Sequence, residues 1–176
     1  MDRKTFAENF QMDINCFSKY LAALSSSIAS LLPNNLKKSF FLNSGAEAVE
    51  AAIKISYKSF KSKKKFILYS NKSYHGKLIG SGSISGSYKI KNQFPEMQNC
   101  ENFKFNDPED LESRILELEN KGGIYAIVIE PYSASLLESC SDKFIEKLFT
   151  LKRKYKFKVI FDEVFTGFFK SNKVFY

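Results

Sequence analysis

The sequence predicts an α/β fold, a three-layer αβα arrangement around a mainly parallel sheet. Short apolar, β-branched runs alternate with segments of helical period along the whole chain. The runs are apolar on successive residues, as in strands buried on both faces, and each gives way to small or acidic residues where such sheets bind ligands. The length of 176 residues suits one domain with a real core and is short for two. Hydrophobic residues at 44% and aromatics at 15% fit a globular chain and exclude a disordered one. No apolar run approaches the ~20 residues that span a bilayer.

Taken in order, the first element is a helix from Asp13 to Leu32. Ile14, Phe17, Leu21, Leu24, Ile28 and Leu31 recur at spacings of three and four, with Asp13 as N-cap and Pro33 as stop. Such a stripe serves a core, a subunit contact or a coiled-coil seam, and it lacks the charged flanks of the last. Ser39-Phe40-Phe41-Leu42 reads as a short strand. The turn Asn43-Ser44-Gly45 then opens a helix with Ala46, Val49, Ile53, Tyr57 and Phe60 on one face and Glu47 and Glu50 in its early turns, where acids complement the dipole.

Phe66-Ile67-Leu68-Tyr69 is a second strand, followed by Tyr74-His75-Gly76-Lys77 and the small-residue run from Gly80 to Ser87. That run suits either a flexible linker or a close-packed loop lining a ligand. His75 is the chain's one histidine; lone histidines are more often structural than catalytic, and no nucleophile motif accompanies this one. Asp107-Pro108-Glu109-Asp110 starts a helix with Leu111, Ile115 and Leu118 as its stripe, and Gly122-Gly123 ends it. Ile124 to Ile129 is the clearest buried strand and delivers Glu130-Pro131 at its end. Ser141 or Ser139 caps a helix bearing Phe144, Ile145, Leu148, Phe149 and Leu151. A last apolar strand, Phe157 to Phe161, ends in Asp162-Glu163.

The charge of +8 raises nucleic-acid binding, since lysines cluster at 61–65 and 152–158. The arginines are only Arg3, Arg114 and Arg153, although arginine is the preferred residue for bidentate contacts, so a solvated lysine surface is the better reading. Cys16, Cys100 and Cys140 are odd in number and widely spaced, which suggests neither a disulfide framework nor a metal site and fits a reducing cytoplasm. The residues from Met1 to Phe6 lack the apolar segment of a secretory signal.

Parallel strands bring Asn43-Ser44-Gly45, Glu130 and Asp162 to one sheet edge, with Tyr74-His75-Gly76 nearby. A strand, a small-residue turn and a helix N-terminus make an anion site from free backbone N–H groups. Asp162-Glu163 by itself reads equally well as a strand end that merely starts a turn. Anion cradle, aromatic platform and carboxylate together suggest a flat phosphorylated cofactor with a basic ring nitrogen.

The segment from Asn43 to Lys54 (NSGAEAVEAAIK) resembles the phosphate-binding segment of class III, pyridoxal-phosphate-dependent aminotransferases. Tyr74-His75-Gly76-Lys77, Glu130-Pro131 and Asp162-Glu163-Val164-Phe165-Thr166-Gly167 resemble that family's later motifs, in order. The resemblance implies the family's large-domain fold and pyridoxal 5'-phosphate as cofactor. It implies that Ser44, Gly45 and Ala46 hold the phosphate, that Tyr74 and Val164 flank the ring, and that Asp162 pairs with the ring nitrogen. His75, Glu130 and Phe165 would lie around the same group, with Glu130 supporting the site and Glu163 structural. Lys77 would face substrate: a point charge there, where amino-acid-gripping members often carry arginine, leans toward an ω-amine or diamine donor over an acylated ornithine-type one.

Residues 1–176 would then be one partial domain, the central part of the family's major domain. No lysine present stands in a segment matching the family's Schiff-base lysine, so the expectation is that this chain alone is inactive, with no catalytic residue of its own. A non-catalytic remnant acting as a binding module, or one half of a split enzyme, is the alternative. The resemblance also implies an amino donor and a keto-acid acceptor, and a homodimer or a complementing chain. The sequence departs from the pattern at Tyr132-Ser133-Ala134-Ser135 after Glu130-Pro131, at Phe165, which replaces a glutamine, and at Lys170, which replaces an arginine.

Overall fold

A computed structural model describes residues 18–33, 36–61, 63–88, 95–168 and 174–175. Asp13, Ile14, Cys16, Phe17 and Lys170 lie outside the described residues. Contacts divide the chain into two compact units, Met1–Phe41 with Phe175 and Leu42–Val174 with Tyr176.

In the first unit, helix α1 spans Lys19–Leu31, and none of its residues is buried. Its last carbonyls are satisfied from beyond Pro33: Lys37 Nζ donates to Ala29 O at 2.6 Å and Leu32 O at 2.8 Å. A cation at a helix C-terminus also complements the dipole.

The second unit is built on a four-stranded parallel sheet. Its strands are β1 (Phe66–Ser70), β2 (Cys100–Phe103), β3 (Ile124–Ile129) and β6 (Lys158–Phe161), in the order β2-β1-β3-β6. A two-residue hairpin, β4 (Tyr132–Ser133) with β5 (Glu138–Ser139), lies between β3 and the last helix. Helices α2 (Gly45–Ser59) and α3 (Ile79–Ser83) precede and follow β1. Helices α4 (Pro108–Glu119) and α5 (Asp142–Tyr155) are the crossovers after β2 and β3.

The core has two halves, as a three-layer fold requires. Leu111, Ile115 and Leu118 of α4 and Phe144, Leu148 and Leu151 of α5 pack with Leu68, Phe103, Ile127 and Ile129 on one face. Val49 and Ile53 of α2 pack with Ile67, Tyr69, Ala126 and Val128 on the other, joined by Ile84 just after α3. Ile124 shares a face with Ile127, an odd separation that breaks the period of two. The cause is a register shift: Phe66 pairs with Ile124, but Ile67 pairs with Ala126, leaving Tyr125 as an extra residue.

Helix starts follow local chemistry. Asp107 caps α4 by accepting from Asp110 N, with Pro108 at the first turn, and Ser141, not Ser139, caps α5 by accepting from Phe144 N.

Two expectations fail, and one strand is unforeseen. Ser39–Leu42 forms no strand, because it pairs with no neighbour among the described residues and a strand exists only in a ladder. The last strand starts at Lys158, not Phe157, and is half-buried rather than buried, because it forms an edge of the sheet. Strand β2 is an addition: Cys100-Glu101-Asn102-Phe103 has one fully buried side chain, Phe103, and no apolar run announces it.

Candidate active site

The parallel strands place the ends of β1, β3 and β6 on one edge. The chain enters the sheet at β1, adds β2 on one side and then β3 on the other, so β1 and β3 flank a switch point where such sheets open a crevice. The loops beyond both strands meet there. Tyr74 N donates to Glu130 Oε2 at 2.8 Å, tying the β1 loop to the end of β3. Glu130 is buried, and burial raises its carboxyl pKa above the usual range, partly opposed by that Tyr74 N–H.

Asp162 follows β6, and its own N–H extends the ladder by donating to Ile129 O at 2.9 Å. Its Oδ1 accepts from Val164 N at 3.1 Å, which fixes the turn after the strand. Its Oδ2 lies 2.7 Å from His75 Nδ1, both side chains essentially without solvent contact. An ionised carboxylate offers about four acceptor positions. The two bonds leave capacity for a third donor. The other ring nitrogen, His75 Nε2, is buried and has no hydrogen-bond partner among the described residues.

His75 is held by the small-residue run. Its N–H donates to Ser85 Oγ at 2.8 Å, and Ser85 Oγ lies 2.9 Å from Ser81 O and 3.2 Å from Gly76 O. Ser73 Oγ lies 2.7 Å from Ser70 O and 2.9 Å from Ile84 O, closing the same loop. The Gly80–Ser87 stretch is thus a close-packed support rather than a flexible linker.

The N-terminus of α2 is the third component. Ser44 Oγ accepts from Glu47 N at 3.2 Å while the Glu47 carboxylate accepts from Asn43 N at 2.8 Å, a reciprocal cap. Among the described residues the N–H groups of Gly45 and Ala46 have no such acceptor and carry the positive end of the helix dipole. Two other motifs abut this point. A Cβ on Gly76, at φ +123°, would stand 2.6 Å from Ala46 Cβ, and a Cβ on Gly45 would stand 2.6 Å from Val164 Cγ2. Glu50 does more than complement the dipole: its Oε1 accepts from Ser81 N at 2.7 Å, locking α2 to α3.

The turn into α2, the His-Gly motif and the Asp-Glu-Val loop therefore meet in space. Tyr74 and Val164 are exposed, as is Phe165, which stacks on Tyr132 with ring centroids 5.9 Å apart. Lys77 is exposed two residues beyond His75. Glu163 points to Thr166 instead, whose Oγ1 donates to its Oε2 at 3.2 Å. The sequence reading missed Ser73 and the Tyr132 stack and gave no individual role to Ser85 or Thr166; the small-residue run it singled out was the available signal for Ser85.

The aminotransferase class-III family model matches residues 7–176. The chain belongs to the class-III aminotransferase family. Acetylornithine aminotransferase of Archaeoglobus fulgidus is 34% identical over 138 residues, which cover 77% of this chain and 35% of that protein. Putrescine aminotransferase of Pectobacterium atrosepticum is 30% identical over 157 residues, covering 86% of this chain and 33% of that one. The chain therefore spans about a third of the length of these class-III relatives. The fold agrees: an ω-transaminase structure from Thermomicrobium roseum superposes with TM-score 0.84 at 24% identity, over 93% of this chain and 42% of that one. An ornithine aminotransferase structure from Toxoplasma gondii, described with pyridoxal phosphate partly occupying its active site, gives TM-score 0.66 at 22% identity, over 76% and 32%.

Proposed function

We propose that this chain supplies the cofactor-binding core of a pyridoxal-phosphate-dependent transaminase. The buried Asp162–His75 pair carries the reading, because it stands at the same sheet edge as the free N–H groups of Gly45 and Ala46. The residues present fit the group. A phosphate suits the α2 N-terminus, and the remaining acceptor capacity of Asp162 suits a protonated ring nitrogen. When bound, pyridoxal phosphate supplies an electron sink for a carbanion at the amine-bearing carbon.

The protein's own part is orientation and electrostatics. Gly45 and Ala46 fix the phosphate end. Asp162 would keep a proton on the ring nitrogen, and His75 and the Val164 N–H aim its carboxylate. Tyr74 and Val164 would cover the two ring faces and exclude water. Glu130 holds the Tyr74 backbone in place and takes no part in proton transfer.

The fuller assignment is an amine donor and a keto-acid acceptor. A lysine at position 77 favours an ω-amine or diamine over an acylated ornithine-type donor, since it offers no planar fork for a carboxylate. No lysine present stands in a segment matching the family's cofactor-bearing lysine. We propose accordingly that these 176 residues bind the cofactor without turnover. Turnover then needs a further polypeptide segment, in cis or in trans, and a dimeric assembly. Cys100 and Cys140 form no disulfide among the described residues, which suits a reducing cytoplasm.

Equilibrium dialysis of the chain against pyridoxal phosphate and against unphosphorylated pyridoxal tests the reading. Saturable, phosphate-dependent binding that D162N weakens is expected. Equal retention of both ligands, or binding indifferent to D162N, would refute it.

A further inference from the structure

The opposite, amino edge of the sheet carries a cavity that the transaminase reading does not use. It has a volume of about 390 Å³ and is lined by Phe60, Lys152, Arg153, Lys156, Phe157 and Lys158. Lys152 and Arg153 come from the last turn of α5, Phe157 and Lys158 from the entry to β6, and Phe60 from the end of α2. Phe157 is buried beneath the cavity; the Phe60 ring has Lys158 Nζ at 5.9 Å and Lys64 Nζ at 5.4 Å from its centroid.

Some of the surface cations are neutralised by a neighbouring carboxylate. Lys64, Lys121, Lys143 and Lys147 each pair with a glutamate. Among the described residues, Lys152, Arg153, Lys156 and Lys158 pair with no carboxylate, although they crowd one cavity. The dipole of α5 accounts for Lys152 and Arg153 at its C-terminus. It does not account for Lys158, which is on a strand. Lys156 occupies the helix C-cap with φ +55°, a left-handed position.

We propose that this cavity binds a small polyanion bearing a planar ring, of the nucleoside triphosphate class. Four cations without a carboxylate partner around one cavity call for a ligand with several negative charges, and the partly exposed Phe60 ring in its wall calls for a flat group to lie against it. The volume holds one small ligand and not an extended chain, which favours a mononucleotide over a nucleic acid.

The test is calorimetric titration of the full chain with ATP, inorganic triphosphate and a short oligothymidylate, repeated on K152Q/R153Q and on F60L. One equivalent of ATP should bind, more tightly than triphosphate. K152Q/R153Q, exposed or half-exposed positions whose loss leaves the core intact, should weaken ATP by roughly tenfold. F60L should abolish the preference of ATP over triphosphate, and excess pyridoxal phosphate should not displace ATP. No saturable ATP binding would overturn the proposal. So would binding untouched by K152Q/R153Q, which would put the nucleotide at the α2 N-terminus. Equal affinity for triphosphate and ATP would overturn the ring component, and oligothymidylate binding tighter than ATP would reassign the surface to single-stranded nucleic acid.

Discussion

Replacing Asp162 by asparagine keeps the shape of the side chain and changes only what it can donate and accept. In the native site both carboxylate oxygens accept, one from Val164 N at 3.1 Å and one facing His75 Nδ1 at 2.7 Å. A carboxylate facing Nδ1 fixes the proton there and leaves Nε2 bare. An asparagine must still accept from Val164 N, so its amide N–H₂ turns to His75 and the imidazole proton moves to Nε2. That nitrogen is buried with no hydrogen-bond partner among the described residues, so the variant exchanges an unsatisfied buried acceptor for an unsatisfied buried donor, and a charge-assisted bond at Nδ1 for a neutral one. The expected loss is about 1–3 kcal/mol of folding stability, the scale of a charge-assisted hydrogen bond in a buried site. D162A strands both Nδ1–H and the Val164 N–H and should lose more, roughly 2–5 kcal/mol. The chain has one histidine, so a long-range ¹H–¹⁵N spectrum reports this tautomer without assignment. The Nδ1–H form is expected in the native chain and the Nε2–H form in D162N. A native spectrum of the Nε2–H form, or no change on substitution, would refute the pairing and with it the argument that His75 aims Asp162.

Other consequences are as direct. Gly76→Ala puts a Cβ 2.6 Å from Ala46 Cβ at a backbone φ of +123°, so backbone strain and overpacking combine to about 2–4 kcal/mol; urea unfolding of a fully stable G76A would refute the contact. Ser141→Ala removes the acceptor for Phe144 N and should lower stability by about 1 kcal/mol, whereas Ser139→Ala should leave it unchanged within experimental error. Glu130 has a raised folded pKa, so its contribution is complete below the unfolded value near 4.5 and is lost as pH rises through the folded one. Glu130→Gln keeps an acceptor for Tyr74 N without the buried charge, so it should gain on the native chain between pH 4 and pH 8 in unfolding midpoint; the opposite slope would sink the assignment.

Much of the fold was legible because its strongest elements are locally consistent. Strand β3 announces itself by six consecutive buried residues, and α4 by Asp107, Pro108 and its apolar stripe. Legibility failed where the neighbour decides. Strand β2 exists because β1 pairs with it, not because Cys100-Glu101-Asn102 is apolar. Ser39–Leu42 is apolar enough for a strand and has no partner to make it one. In the site, residue types and order were readable from the motifs. Connections were not: His75 and Asp162 lie 87 residues apart, and nothing local tells Glu50 to cap Ser81 rather than its own helix.

The burial pattern at this edge inverts the usual one. His75 is 3% exposed, Glu130 7% and Asp162 9%, whereas Val164 is 68% exposed, Phe165 44% and Tyr74 39%. Folding alone favours the reverse, since burying polar groups is costly and apolar faces gain by leaving water. Each buried polar group here has a backbone or side-chain partner that aims it, through Ser85, Tyr74 N–H and Val164 N–H. The exposed apolar groups belong to the same loops, one residue before His75 and two and three residues after Asp162. On the proposed reading, a ligand with a polar edge and two apolar faces would complete both halves at once: its edge would meet the aimed carboxylate and its faces would cover Tyr74 and Val164. A surface serving stability alone would have no reason to hold its carboxylate so firmly beneath uncovered apolar walls. The two acids that end β6 divide accordingly, Asp162 turned inward onto His75 and Glu163 closing its own turn through Thr166.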